Sequence, residues 1–422
     1  MSGSLFVIRK NSRMTIIDVL FSGSFLNQLQ KSFRWSSSLK IRDKKVVQPE
    51  RSFKYADLSV RLAAPHQLQP KPNVRVLSFG KYFTDHMLKI FYYDTLGGWQ
   101  TPEITPFENL VLHPGAKVLH YAIELFEGLK AYRGVDGKIR IFRPDLNMDR
   151  MNNSAVGSGL PTFNGNELIQ CISRLVSIDQ EWVPHSTAAS LYIRPTLIGI
   201  DPTLGVAPAD SALLYVILSP VGSYFENNTE AGVSLLADPQ YTRAWPGGCG
   251  DRKVGSNYGP TIQMVKKATE KGYQQVLWLY GEHNEVTEVG AMNIFMVYIN
   301  DDGEILFKFK FKFFLFYAHI RREGAGDAAT EWFDFTRYSK KFDFGSHCFI
   351  YIISFLLTQL LEMFGSGTAA VVSPISNIGF MNRDLHIPTV LQPDPIYKKL
   401  FKHLTDIQYG YIPNHPWTVT ID

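Results

Sequence analysis

The stretch GDRKVGSNYGPT at residues 250–261 sets one lysine, Lys253, among small residues directly ahead of a helix. Pro260 suits the first helical position, and Gly272 is placed to end a helix whose inward face is Ile262, Met264, Val265 and Ala268. The apolar run 276–280 behind that helix reads as a buried strand. Lys253 therefore falls on the turn or strand end feeding the helix, where small neighbours let a bulky group approach the backbone. An ammonium desolvated at such a place loses its proton readily, and the free amine forms a Schiff base with a carbonyl. A lone lysine is ordinarily a surface residue, so the weight of this reading depends on the rest of the chain.

At 422 residues the chain exceeds one ordinary core, and two domains are expected. Residues 74–224 are expected to form the smaller N-terminal α/β domain, 225–231 the linker, and 232–422 the larger C-terminal domain. A net charge of +4 is too small over this length to argue for nucleic acid. The apolar run 348–357 falls far short of the roughly 20 residues of a membrane span and reads as a buried helix. Cys171, Cys249 and Cys348 have neither metal-ligand nor CxxC spacing, so they read as reduced thiols and no metal site is expected. Between residues 1 and 42 the only acid is Asp18, set against Arg9, Lys10, Arg13, Lys31, Arg34, Lys40 and Arg42 with many serines. That is the composition of a mitochondrial transit peptide, which makes the matrix the expected compartment; a disordered cytoplasmic tail is the alternative for residues 1–50.

Residues 65–73, with three prolines, read as linker, and 88–93 as a strand. Asp85 and His86 are adjacent beside that strand, and an isolated pair there is more often structural than catalytic. Residues 119–132 have the look of a helix closing at Gly128 and running into a strand. A short strand follows at 139–142, Arg143-Pro144 begins a turn, and a helix opens at Asn147 with Arg150 on its first turn. The alternation at 191–198 sets Tyr192 and Arg194 on one strand face. Arg243 precedes the turn-rich run 245–250. Cys249 in that run has no histidine nearby and reads as a small filler. Glu288 lies at a strand start amid apolar residues, where a buried carboxylate needs a partner. Residues 307–314 alternate like an exposed strand, and the Gly-Ser-Gly-Thr turn at 365–368 can form an anion nest.

Seven ordered motifs now converge: LFEGLKAYRG at 125–134, FRPDLNMDRM at 142–151, LYIRPTLIG at 191–199, KVGSNYGPT at 253–261, TEVGAMNIF at 287–295, FGSGTA at 364–369 and IQYG at 407–410. Together they closely resemble the branched-chain aminotransferases, pyridoxal-phosphate enzymes of the D-amino-acid-aminotransferase-like fold (fold type IV). The likeness runs from about residue 79 to 305 and again from 361 onward. It implies a two-domain α/β architecture with the cofactor between the domains, and a homodimer. It also implies reversible amino transfer between L-leucine, L-isoleucine or L-valine and 2-oxoglutarate, giving branched-chain 2-oxo acids and L-glutamate.

The resemblance assigns roles. Lys253 would carry the cofactor and move a proton as base and acid, Glu288 would pair with the pyridinium nitrogen, and Tyr258 would hydrogen-bond the phenolic oxygen. Arg150 and Thr368 would hold the phosphate, with Arg243 adding positive charge. Phe79, Tyr121, Phe126, Tyr192 and Tyr224 would wall an apolar substrate pocket, with Ala369 beside it. Arg194 would receive the distal carboxylate of glutamate.

The chain also departs from the family pattern. Ala291 stands where the family usually has threonine, and Ala370 and Ser373 replace a CxxC pair of vertebrate members. The family's loop ending in LPGVTR, whose backbone donors help hold the phosphate, is not recognisable between about 307 and 360. A sharp lapse between two faithful stretches reads as an aberrant splice form or a faulty gene model, which the transcript across these codons tests. If the segment is genuine, two lost phosphate contacts of about 1.5–3 kcal/mol each lower cofactor affinity by roughly two to four decades. Three rivals stand beside the transaminase reading: a D-amino-acid aminotransferase, an aminodeoxychorismate lyase, and an inactive isoform acting only through dimerisation.

Overall fold

The computed structural model describes residues 5–8, 52–222, 231–282, 284–299, 305–309 and 360–421. They form two sheets with helices packed against them. The first sheet runs Thr418–Ile421, Ile139–Phe142, Leu129–Arg133, Ser190–Gly199, Ser211–Val221, His86–Tyr93, Glu103–Pro106 and Ser59–Val60, with Gly98–Trp99 and Glu124–Phe126 attached at its side. The second runs Leu5–Ile8, Ile305–Phe309, Asn293–Ile299, Leu360–Gly367, Val371–Phe380, Val233–Ala237, Gln275–Tyr280 and Glu285–Val289, with Arg383–His386 beside Val371–Phe380. Val233–Ala237 lies parallel to both neighbours, so the sheet is mixed. Among the described residues no helix is long and apolar enough to cross a membrane.

Helical spacing covers one face of the first sheet. Met148, Met151 and Ala155 on Pro144–Ser158, and Leu168, Cys171, Ile172 and Leu175 on Gly165–Ile178, join Leu88, Ile90, Leu191, Ile193 and Leu197 in one core. Each such side chain contributes about 1.5–3 kcal/mol on full burial. In the second sheet the strand period of two divides neighbours between faces. Leu235 enters one core with Leu277 and Ile378. Leu236 faces the other way with Val276 and Trp278, against Met264 and Ala268 of Ile262–Glu270.

Several elements differ from the sequence reading. The helix expected to close at Gly128 is Lys117–Tyr121; it stops at Ala122, whose φ of 48° is left-handed, and Glu124–Phe126 is a strand paired with Ser190–Gly199. The next helix begins at Pro144 rather than Asn147, because Pro144 takes its first turn directly after left-handed Arg143. Pro260 lies in a short 3₁₀ turn, Gly259–Thr261, and the α-helix starts after it at Ile262. Ile262 itself is exposed, because it sits about 200° around the helix from buried Met264. Phe307 is buried in Ile305–Phe309, not on an exposed strand, since it packs with Phe295 and Phe364. Residues 310–359, and with them the anomalous segment, Cys348 and the 348–357 run, lie outside the described residues. Of the N-terminal fifty only Leu5–Ile8 is described, as an edge strand on Ile305–Phe309; the rest of the expected transit peptide lies outside.

Asp85 and His86 serve the fold. Asp85 accepts hydrogen bonds from Gln69 N (2.7 Å) and Trp182 Nε1 (2.7 Å). His86 Nε2 accepts from Ala63 N at 2.8 Å, so its proton sits on Nδ1 and is donated to Asp179 at 2.7 Å. These bonds clip the proline-rich segment before residue 74 onto the first sheet. Replacing His86 with alanine leaves buried Asp179 without that donor, and urea unfolding is expected to show a loss of about 2–3 kcal/mol.

Candidate active site

Lys253 is held on both sides of its backbone. Its N–H donates to Ser154 Oγ at 3.0 Å, and its carbonyl accepts from Phe126 N at 3.1 Å. Arg252 Nη1 donates to the carbonyl of Gly157 near the end of the Pro144–Ser158 helix (3.0 Å). Val254 is buried in the first sheet's core. Asn257 closes the loop by donating to the carbonyls of Cys249 (2.8 Å) and Arg252 (2.9 Å), while the Cys249 thiol reaches Asn257 Oδ1 at 3.1 Å. The turn after the second sheet's strand Val233–Ala237 is thus tied to elements of the first sheet.

The lysine side chain meets aromatic groups. Nζ donates to Tyr258 Oη at 2.9 Å and lies 4.6 Å from the centre of the Phe126 ring. Beyond Tyr258 stands Arg243, 5.7 Å from that ring's centre, with Nη1 2.8 Å from Glu288 Oε2. Glu288 sits fourth in Glu285–Val289, opposite Trp278, not at the strand start. An amine, a phenol, a guanidinium and a carboxylate therefore succeed one another across the space between the two sheets.

The face of Ser190–Gly199 supplies the other half. Arg194 Nη2 donates to Tyr192 Oη (3.0 Å), and its guanidinium lies 4.6 Å from the Phe126 ring centre and 5.1 Å from that of Tyr192. Phe79 packs edge-on against Tyr192 with ring centres 4.8 Å apart. Arg194 Nε is buried with no hydrogen-bond partner among the described residues, a donor left over for a ligand. Nearby, burial pushes the Glu124 carboxyl above its ordinary pKa, with Arg194 opposing the shift.

Arg150 is paired more firmly than the sequence reading supposed. Its Nε and Nη2 meet Glu127 Oε1 and Oε2 at 2.5 and 2.7 Å, and Asn147 Nδ2 adds a bond to Oε2 at 2.8 Å. Burial acts against the Arg150 charge, but the bonds to Glu127 outweigh it and hold the pKa above the usual guanidinium value, with the Tyr258 and Tyr192 phenols assisting. Glu127 is fully buried, and sequence reasoning missed it. The only hint was an acid set between Phe126 and Gly128 in an apolar run.

Lys253, Tyr258, Arg243 and Glu288 are thus brought together, and Phe126 links them to Tyr192, Arg194 and Phe79. Thr368 is exposed in the turn after Leu360–Gly367, and Ala369 offers its carbonyl to Lys130 Nζ. Tyr121 is exposed, donates to the carbonyl of Leu204, and does not join the group. Tyr224 lies outside the described residues.

Close approach explains Gly128. A Cβ there would stand 2.1 Å from Tyr192 Oη and 2.9 Å from its Cζ. Gly128→Ala is expected to cost about 1–3 kcal/mol in urea unfolding, because the packed Tyr192 ring has nowhere to go. Gly255→Ala should cost less, since the nearest atom is Oε1 at the free end of Glu124.

The family model for "Amino-transferase class IV" matches residues 124–306, the span holding most of these groups. The cytosolic branched-chain-amino-acid aminotransferase of Ovis aries is 48% identical over 377 residues, 89% of this chain and 95% of that protein. The chain belongs to the branched-chain-amino-acid aminotransferase family. The mitochondrial branched-chain-amino-acid aminotransferase of Rattus norvegicus is 44% identical, covering 88% of this chain and 92% of the relative. In three dimensions this aminotransferase shares its fold with the branched-chain aminotransferase of the thermophilic archaeon Thermoproteus uzoniensis, solved with norvaline. The TM-score there is 0.54 at 20% identity, covering 80% of this chain and 100% of that one.

Proposed function

We propose that this chain transfers an amino group reversibly between L-leucine, L-isoleucine or L-valine and 2-oxoglutarate, using pyridoxal 5′-phosphate, as a homodimer. The observation that carries the reading is the Lys253 amine resting on Tyr258 Oη at 2.9 Å, with the Arg243–Glu288 pair on the far side of that phenol. The donor set fits the cofactor: an amine for its aldehyde, a carboxylate for its ring nitrogen, and guanidinium groups for its phosphate. Lys253, Tyr258, Glu288, Arg150, Arg243 and Thr368 would hold it. When bound, the cofactor supplies an electron sink that lets the Cα–H bond of an amino acid ionise.

The rest is the work of this chain's residues. Lys253 takes the proton from Cα and would deliver it to C4′ of the bound cofactor, with the Tyr258 hydroxyl keeping the amine in place between uses. The Phe126 ring beneath Nζ excludes water from one side. Phe79, Phe126 and Tyr192 accept a branched aliphatic side chain, while Arg194 on the same strand face accepts the distal carboxylate of glutamate. One pocket thereby serves an apolar and an acidic substrate. Exposed Leu119, Leu204 and Val206 beside Tyr121 support burial of that surface against a second copy. Residues 74–224 are read as the small domain and 232–422 as the large one, joined through 225–231, although Thr418–Ile421 of the latter pairs with the first sheet, and residues 1–50 as a transit peptide to the mitochondrial matrix.

The test is an assay of purified protein with pyridoxal 5′-phosphate and 2-oxoglutarate. Glutamate formed from L-leucine but not from D-alanine is the expected result. Turnover of D-alanine alone would favour the D-amino-acid reading, and no turnover by a folded dimer would favour the inactive isoform.

A further inference from the structure

Glu124 is an acid on the pocket side of the first sheet to which the transamination chemistry gives no task. Opposed residues of antiparallel strands share a face, and Glu124 stands opposite Ile198 while Phe126 stands opposite Thr196. Glu124 therefore lies on the face that carries Phe126, Tyr192 and Arg194. Its Oε1 fills the space over Gly255, where a Cβ would come within 1.5 Å of it, so the carboxyl rests against the loop that begins at Lys253. The residue is half-buried, and among the described residues its carboxyl makes no hydrogen bond. The groups facing it are the Arg194 guanidinium on Ser190–Gly199, the Tyr215 phenol on Ser211–Val221 and, across the Phe126 ring, the Lys253 amine. Burial raises its pKa and Arg194 opposes the shift. An acid serving only the fold would be tied down, as Glu127 is by Arg150 and Asn147.

We propose that Glu124 is a specificity-determining residue whose carboxylate competes with the distal carboxylate of an acidic substrate for Arg194, and so tilts the pocket towards branched aliphatic side chains. The proposal rests on the transaminase reading for the reaction, and on the face shared with Arg194 for the competition. Arg194 has a buried Nε left without a partner among the described residues. When the carboxylate of glutamate takes that donor, an ionised Glu124 is a second negative charge within reach of one guanidinium, and the two repel. An aliphatic side chain meets no such conflict, and Glu124 then offsets part of the Arg194 charge beside the hydrocarbon. The competition exists only while Glu124 is ionised. As pH rises through its raised pKa, glutamate loses ground to leucine, since the distal carboxylate of free glutamate is already charged there.

The ratio of KM for L-glutamate to KM for L-leucine isolates the effect, because titrations common to both substrates cancel. Glu124→Gln keeps the size of the side chain and removes its charge, and the ratio at neutral pH should fall about fivefold or more. In the wild type the ratio should climb as pH goes from the ordinary carboxylate range to neutral, and in Glu124→Gln it should stay level. Calorimetry on the holoenzyme gives a reading that needs no turnover. Glutarate should bind Glu124→Gln about fivefold or more tightly than wild type, while 4-methylpentanoate binds the two alike. An equal ratio in the two proteins, the same pH slope in both, or equal glutarate affinities would each overturn the proposal. Failure of Glu124→Gln to fold also counts against it, because the carboxyl would then be holding the loop at Gly255 rather than tuning Arg194. Absence of transamination by a wild-type holoenzyme that still binds glutarate would sink the transaminase reading instead, leaving the glutarate affinities to decide the competition.

Discussion

Lys253→Ala should lower amino transfer from L-leucine to 2-oxoglutarate by about 10⁴-fold or more, while the protein stays folded. The size follows from the role: a positioned acid–base group is worth about 10²–10⁴, and the same amine is the covalent anchor. The stability expectation follows from the contacts. Lys253 is tied to the fold by its backbone, through Ser154 and Phe126, and among the described residues its side chain makes one hydrogen bond, to Tyr258. Removing that single partly buried bond costs about 0.5–1.5 kcal/mol, which a thermal melt would register as a small shift. Lys253→Arg keeps the charge but cannot give up its proton, and should be as inactive as the alanine variant. Activity within tenfold of wild type in either variant would remove Lys253 from the chemistry.

The second large effect concerns stability. Arg150→Ala should cost about 3–5 kcal/mol in urea unfolding, since it strands the fully buried Glu127 carboxylate with Asn147 and the Gly128 N–H as its remaining donors among the described residues. Glu127→Gln should cost distinctly less, because half of the Arg150 side chain is open to water and can be hydrated when its partner is lost. Replacing both residues with apolar ones of similar volume should recover most of the loss. The order of the two single variants is the sharp part: if Glu127→Gln proves the worse, Glu127 does not depend on Arg150 for its charge. Arg150→Ala should also weaken cofactor retention, which dialysis followed by an absorbance spectrum would show.

The elements read correctly from sequence are those whose signal is local. Lys253 and Tyr258 stand five residues apart in one motif, and the alternation at 191–198 put Tyr192 and Arg194 on one face, where their side chains are bonded. What stays illegible in the sequence has another cause: the partners are distant along the chain. Gly128 beside an apolar run looks the same whether it ends a helix or makes room for a ring, and the ring, Tyr192, is 64 positions away. Glu127 is explained by Arg150, 23 positions on, and Lys130 by Ala369, 239 positions on. The strand Thr418–Ile421 joins the first sheet beside Ile139–Phe142, although it follows every strand of the second. Its alternation marks a strand, but nothing local says which sheet receives it. The Arg243–Glu288 pair belongs to the same class, with each residue singled out alone and their meeting visible only once the chain is folded.

Attachment of the cofactor tests the account most directly. The purified chain would be incubated with pyridoxal 5′-phosphate, reduced with borohydride, digested, and its peptides mapped by mass. The account predicts one phosphopyridoxyl group per chain, on the peptide containing Lys253. Label scattered over surface lysines with none on that peptide would contradict it.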